Sequence, residues 1–223
     1  MTTVLLGGLG TTTRMWEQQL AVLDDAILLD LPGHGSAPLP AGPVSIESIA
    51  RDLLDVVAGR FAFVGISVGG MVGQWLGANA PERIDRLVLA CTGAKLGSKE
   101  DYDARAELVR REGTEVVVAG ARERWFTPAF REHPRAQAVL DDLRGIPPVG
   151  YAACAEAVGE WDFREQVRRI SVPALVLFAC DDPVTPPEVR AQLAHLRCVE
   201  IAGAHLANLE SAEEFNHHLR SIA

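Results

Sequence analysis

Cysteine and long apolar runs are both scarce in this sequence. The 223 residues include four cysteines, and no two of them share the C-x-x-C spacing of a redox or zinc motif: Cys91, Cys154, Cys180 and Cys198. No apolar stretch approaches the roughly 18 residues of a membrane span. The chain opens in an apolar strand, without the basic region of a signal peptide. These absences predict a reduced, cytoplasmic protein with no membrane partner.

Basic residues are outnumbered and scattered. There are 21 Lys and Arg against 30 Asp and Glu, a formal charge of −9, so no basic stripe offers a surface to nucleic acid. The glycine-rich segment Gly7–Gly10 has neither Gly-Lys-Ser/Thr nor the G-x-G-x-x-G spacing of nucleotide sites. The adjacent His217 and His218 lack neighbours that would complete a metal-ligand set. We expect no nucleic-acid partner, no metal and no cofactor.

A serine flanked by glycines stands between a predicted strand and a predicted helix. The apolar run Phe61–Val64 predicts a buried strand, and Met71–Leu76 continues as a helix. Between them, Gly65–Gly69 has the pattern G-x-S-x-G, whose glycines leave room at a tight corner. Ser67 is therefore the candidate nucleophile. The Val68 N–H, at the start of the helix, is a candidate oxyanion donor.

An acid and a base follow predicted strands nearer the C-terminus. Asp181 and Asp182 come just after the apolar run Ala174–Phe178, and His205 follows the shorter run Cys198–Ile201. We prefer Asp182 as the acid because a proline stands four residues after it, a pattern typical of acid loops in hydrolases. Asp181 is then a solvated loop residue. The chain order nucleophile, acid, base is that of the α/β-hydrolase fold.

The oxyanion hole needs a second donor besides Val68. In this fold it comes from the loop after an early strand, here the loop Gly7–Gly10 after Val4–Leu6, and the Leu9 N–H is the candidate. His34 precedes the nucleophile, which is the wrong order for a base. Its Gly-His-Gly setting predicts a tight turn.

Strand and helix patterns alternate along most of the chain, which predicts a mostly parallel sheet flanked by helices. Within residues 95–169 the pattern changes to charged helical stretches broken by prolines. We predict an α/β-hydrolase core of residues 1–94 and 170–223 and a helical lid of residues 95–169. Most lid aromatics are expected in the lid core, with one or two lining a substrate pocket: Trp125, Phe126, Tyr151, Trp161 and Phe163.

Seven segments, spread over nearly the whole chain, carry the motifs of one family. They are Gly8–Thr13, Asp30–Ser36, Gly65–Gly70, Arg124–Pro128, Gly150–Cys154, Asp181–Pro186 and His205–Glu210. With them the chain resembles the 3-oxoadipate enol-lactonases of the β-ketoadipate pathway of aromatic degradation. The elbow and triad segments are shared by many hydrolases, whereas the two lid segments are more specific to this family.

The resemblance implies hydrolysis of 3-oxoadipate enol-lactone, a small unsaturated lactone bearing an acetate arm, through an acyl-enzyme on Ser67. The arm is anionic and needs a cation in a chain of net negative charge. Arg124, next to Trp125 in the predicted lid, is the candidate, and both are predicted to bind substrate.

The chain departs from this family at three places. Gly7 stands where the family usually has a histidine that supports the oxyanion loop, and Ala179 replaces a usual glycine. The two antiparallel strands that usually precede Val4–Leu6 are lacking. An uncovered edge strand favours self-association, so a homo-oligomer is one expectation.

Two other functions remain open from the sequence. One is a carboxylesterase acting on small neutral esters. The other is a hydrolase-fold protein that binds a small molecule without turning it over. A comparison of the enol-lactone with a short p-nitrophenyl ester separates the first alternative from the lactonase, and a ligand released intact supports the second.

Overall fold

The computed structural model describes residues 1–220. Six strands form one sheet, in the order β2-β1-β3-β4-β5-β6, and every pairing is parallel. The predicted mostly parallel sheet is confirmed. The strands are β1 (Thr3–Leu6), β2 (Ala26–Leu29), β3 (Phe61–Ile66), β4 (Ile84–Ala90), β5 (Ala174–Ala179) and β6 (Arg197–Ile201).

Two hydrophobic cores lie on the two faces of the sheet. Successive residues of a strand point to opposite faces, so Val4 and Leu6 join one core while Leu5 joins the other. Every residue of β3 is buried. A parallel strand covered on both faces needs such a continuous apolar run, which explains the pattern Phe61–Val64.

Nine α-helices are found in the part of the chain that the structure describes. The first begins after Ser45, whose side chain accepts the Ser48 N–H at 3.0 Å and caps the helix. The helices are α1 (Ile46–Val56), α2 (Val68–Asn79), α3 (Lys99–Glu112), α4 (Glu115–Trp125), α5 (Pro134–Gly145), α6 (Pro148–Glu160), α7 (Pro187–Arg190), α8 (Ala207–Glu210) and α9 (Ala212–Arg220).

Helices α3 to α6 are inserted between β4 and β5. Helix α3 packs along α6, and the exposed ion pairs Lys99–Glu160, at 2.8 Å, and Arg110–Glu156, at 2.5 Å, join the two. These helices fall within the predicted lid, residues 95–169. The division of the chain into a core and a lid stays a prediction.

Strand β2 lies at one end of the sheet and pairs with β1 alone among the described strands. All four of its residues are half-buried. In residues 1–220 no helix is both long enough and apolar enough to cross a membrane.

Candidate active site

Ser67 forms the corner between β3 and α2. Its backbone angles, φ 55° and ψ −112°, are ones that a residue with a side chain rarely adopts. A Cβ on Gly65 would overlap the Gly69 carbonyl, and one on Gly69 would overlap the Leu6 carbonyl. The two glycines therefore let the strand, the corner and the helix close around Ser67.

Three hydrogen bonds to the backbone of Ser67 hold this corner in place. The Ser67 N–H donates to the Ala90 carbonyl at 3.0 Å. The Ser67 carbonyl accepts from the Thr92 hydroxyl at 2.8 Å and from the Met71 N–H at 3.0 Å. The unusual conformation is thus fixed by its surroundings, and the buried side chain has a defined position.

Asp182 and His205 lie side by side and are both buried. The Nδ1 of His205 is 3.1 and 3.0 Å from the two carboxylate oxygens of Asp182, which also accept from the Val184 N–H and the Thr185 hydroxyl at 2.8 Å. Burial opposes ionisation of Asp182, but His205 and the two donors outweigh it and hold its pKa below the usual value. Asp181 is exposed, and its N–H donates to the Gly203 carbonyl at 2.9 Å.

A carboxylate only accepts, so the proton of the His205 ring lies on Nδ1 and Nε2 is left as a base. The base loop is also bonded to the end of α4. The His205 N–H donates to the Arg124 carbonyl at 3.4 Å, and the Leu206 N–H donates to the Trp125 carbonyl at 3.1 Å. Both predicted substrate-binding residues are therefore held next to the base.

The loop after β1 lies against Ser67. A Cβ added to Gly8 would be 3.2 Å from the Ser67 Cβ, and the Gly69 N–H donates to the Gly7 carbonyl at 3.0 Å. Within residues 1–220 neither the Leu9 N–H nor the Val68 N–H donates to a protein acceptor. Two unoccupied donors next to a serine are what an oxyanion hole requires. Their role in catalysis stays a prediction.

The predicted turn around His34 is present, and both nitrogens of the imidazole also form hydrogen bonds. Its Nδ1 is 3.1 Å from the Pro32 carbonyl, and its Nε2 is 3.1 Å from the Gly10 nitrogen. Burial lowers the pKa of His34 from 6.5 to about 4, although the Pro32 carbonyl and Asp30 oppose this shift. The ring is neutral at neutral pH.

This depressed pKa predicts a loss of stability in acid. The unfolded chain binds a proton at His34 below its ordinary pKa of 6.5, whereas the folded chain does so only near 4. The stabilisation is therefore complete above 6.5 and is lost as the pH falls toward 4. Between these limits we expect wild type to lose about 3 kcal/mol more unfolding free energy than His34→Gln. Urea unfolding across this pH range measures the difference. If the free energies of unfolding of the two proteins change with pH in parallel, the prediction is wrong.

A cavity of about 670 Å³ is lined by all of the predicted site residues except Asp182. A volume of this size suits a small organic molecule. Two of the five aromatics from the predicted lid line it, Trp125 and Tyr151, while the other three lie elsewhere in the cores. The cavity also contains Leu9, Ser67, Val68, Arg105, Arg124 and His205.

Two half-buried arginines face this cavity without an acidic partner. Within the described residues neither Arg105 nor Arg124 forms an ion pair, whereas Lys95, also at the cavity, pairs with Asp162 at 3.2 Å. Burial and the nearby charge of Arg105 lower the pKa of Arg124. The cavity therefore has two positive charges that a bound anion would neutralise.

Arg105 was not among the residues predicted from the sequence. Its guanidinium carbon is 4.9 Å from the centroid of the Tyr102 ring. Helical spacing places Tyr102, Arg105, Ala106 and Val109 on one face of α3, and the last two are buried. An arginine on the buried face of an amphipathic helix was the available signal.

One cluster in the described residues has metal-ligand composition. A ligand atom from each of Cys91, Asp182 and His205 lies within 4.8 Å of the others. However, Asp182 and His205 already bond to each other, and burial raises the pKa of the Cys91 thiol well above its ordinary value. The contacts among these residues are those of an acid–base pair with a buried thiol beside it.

The parallel sheet, the strained serine corner and the Asp182–His205 pair at one cavity define the class of protein. Residues 3–218 match the alpha/beta hydrolase family, and the chain belongs to that family. It is a hydrolase, as the sequence predicts.

Individual relatives agree with the predicted resemblance, which is confirmed. The chain is 35% identical to 3-oxoadipate enol-lactonase 2 of Acinetobacter baylyi, over 98% of this chain and 87% of that protein. The crystal structure of the enol-lactonase from Burkholderia xenovorans LB400 superposes with a TM-score of 0.94 at 33% identity, covering 98% and 89% of the two chains. A thermophilic esterase from Thermogutta terrifontis, solved with malate bound, has a TM-score of 0.91 at 28% identity, covering 99% and 88%.

Proposed function

We propose that this hydrolase opens a small enol-lactone bearing a carboxylate, with 3-oxoadipate enol-lactone of the β-ketoadipate pathway as its substrate. The observation that carries this proposal is the pair Arg105 and Arg124 in the cavity that contains Ser67. A neutral ester carries no charge to pair with two arginines that lack an acidic partner. A substrate carboxylate, in contrast, forms charge-assisted hydrogen bonds with them. The names of the relatives support the same substrate.

In the first half of the reaction, Ser67 Oγ attacks the lactone carbonyl while His205 Nε2 takes its proton. Asp182 stabilises the imidazolium that forms. The Leu9 and Val68 N–H groups bind the tetrahedral oxyanion. When the intermediate collapses, the ring C–O bond breaks and His205 returns the proton to the enol oxygen. An enol is a better leaving group than an alkoxide, which eases this step.

In the second half, water attacks the acyl-enzyme, whose acyl chain still carries the enol. His205 removes a proton from the water as it attacks the acyl carbonyl, and Ser67 Oγ leaves and recovers its proton. The released enol converts to the ketone, giving 3-oxoadipate. No metal or cofactor takes part in this scheme.

The arginine pair provides the test of the substrate. We expect Arg105→Gln or Arg124→Gln to lower kcat/KM for the enol-lactone about tenfold to a hundredfold, the value of a hydrogen bond to a charged group. The same variants should change kcat/KM for p-nitrophenyl acetate, which has no carboxylate, by less than about threefold. Steady-state kinetics with both substrates measures the contrast.

Arg122→Gln is the matched control, since Arg122 lies on the same helix as Arg124 but pairs with the exposed Glu123 and Glu132. It should behave as wild type with both substrates. If the Arg105 and Arg124 variants lose kcat/KM equally for the lactone and the neutral ester, the two arginines do not bind the substrate carboxylate.

A carboxylesterase for small neutral esters is the second candidate function. Trp125, Tyr151 and Val158 give the cavity an apolar wall, and the similar Thermogutta terrifontis protein is an esterase. Two exposed carboxylates, Asp101 and Glu188, also line the cavity. A marked preference of wild type for the neutral ester would favour this candidate. The cytoplasmic location and the homo-oligomer stay predictions.

A further inference from the structure

A buried imidazole contacts the loop that carries the Leu9 N–H. The Nε2 of His34 lies 3.1 Å from the Gly10 nitrogen, and its Nδ1 lies 3.1 Å from the Pro32 carbonyl. A carbonyl can only accept and a backbone N–H can only donate. The ring proton is therefore on Nδ1, and the Nε2 lone pair accepts from Gly10. Only this neutral form satisfies both neighbours.

Leu9 stands between two peptide groups that are each held by hydrogen bonds. In the preceding group, the Gly8 carbonyl accepts from the Thr11 N–H at 3.1 Å and from the Thr11 hydroxyl at 2.9 Å. In the following group, the Gly10 N–H donates to His34. A peptide group is planar, so holding one of its atoms orients the rest of the group. Thr11 and His34 together determine where the Leu9 N–H points.

We propose that His34 is a positioning residue for the oxyanion hole: by accepting the Gly10 N–H, it keeps the Leu9 N–H directed at the substrate carbonyl oxygen. The inference rests on the proposed function, because it needs acyl transfer at Ser67 with Leu9 as a donor. It adds a role for a histidine that takes no part in the proton transfers.

Gly7 itself cannot support the oxyanion loop. Here a Cβ on Gly7 would overlap the side chains of Thr11 and Met15, so position 7 has no side chain to offer. His34, from the loop after β2, is bonded to the same loop instead.

The segment that contains His34 holds the oxyanion loop at a second point. Asp30 is the charged group that acts on His34. One of its carboxylate oxygens accepts the Thr13 N–H at 2.8 Å, and the other accepts the Ser36 N–H at 2.9 Å. The segment 30–36 thus braces the chain after β1 at Gly10 and at Thr13.

The test compares wild type with His34→Phe, which keeps a ring without an acceptor, and His34→Gln, whose amide oxygen can accept from Gly10. The assays are p-nitrophenyl acetate hydrolysis and inhibition by phenylboronic acid, which forms a tetrahedral adduct on serine. We expect His34→Phe to lower kcat roughly tenfold to a hundredfold and to weaken binding of the boronate by a similar factor. KM should stay within about twofold of the wild-type value. His34→Gln should recover most of kcat.

Cys154→Ala is the matched control, because the Cys154 thiol contacts the same turn, 3.5 Å from the Pro32 carbonyl, without touching the oxyanion loop. It should alter stability and leave kcat unchanged. Wild-type kcat in His34→Phe, or equal losses in the Phe and Gln variants, would overturn the inference. Ester hydrolysis that persists in Ser67→Ala would instead overturn the proposed function.

Nitrogen NMR of the wild-type ring tests the same inference without a substitution that could prevent folding. The expected spectrum at neutral pH is that of a neutral His34 protonated on Nδ1. A ring protonated on Nε2 cannot accept from Gly10 and would refute the role.

Discussion

Replacing Ser67 by alanine is expected to lower kcat for enol-lactone hydrolysis by about six orders of magnitude. Without Oγ the acyl-enzyme cannot form, and the oxyanion donors can only assist the slow attack of water. The loss of the unsaturated lactone chromophore, followed for wild type beside Ser67→Ala, measures the effect. The strained corner remains in the variant because its backbone bonds do not involve the hydroxyl.

Ser171→Ala serves as the control, since Ser171 is exposed and lies outside the cavity. It should match wild type in rate and in unfolding midpoint. Lactone loss at the uncatalysed rate in wild type and Ser67→Ala alike would reject the lactone as substrate while leaving the family assignment intact. Rapid loss of the lactone in Ser67→Ala would show that Ser67 is not the nucleophile.

Asp182→Asn is expected to lower kcat by about four orders of magnitude. The amide has no charge to stabilise the imidazolium, and its N–H₂ group favours the wrong tautomer of His205. KM should change little, because the carboxylate contacts His205 and its own loop and does not line the cavity. Steady-state kinetics with the enol-lactone measures both constants.

The adjacent Asp181 offers a closely matched control. Asp181→Asn makes the same chemical change one residue away, on an exposed side chain, and should leave kcat within about twofold of wild type. Because Asp182 also accepts from Val184 and Thr185, the unfolding midpoint of each variant must be measured with its rate. A larger loss in the Asp181 variant would reassign the acid.

The sequence predicts those parts of the site that depend on local pattern. The corner at Ser67 requires small neighbours whatever the rest of the protein does, so its glycines are visible as a motif. The acid and base loops follow short strands, and parallel strands end at one edge of the sheet. Asp182 and His205 could therefore be expected to meet before any coordinates were known.

Arg105 and His34 could not be predicted with the same ease, for two physical reasons. Helical spacing places Arg105 on the buried face of α3, but the groups that this face meets depend on how α3 packs against α4 and α6. His34 stands in a turn whose glycines account for its conformation, so nothing local shows that its ring accepts from Gly10. Such long-range hydrogen bonds follow from the tertiary fold alone.

Two backbone hydrogen bonds join the end of α4, which lines the cavity, to the loop that carries His205. Helix α4 supplies Arg124 and Trp125 to the cavity, and its last carbonyls receive the His205 and Leu206 N–H groups. A swing of this helix away from the cavity would uncouple both bonds and release the base from its alignment. A change of specificity that moves this helix would be transmitted to the rate constant, even with the triad unaltered.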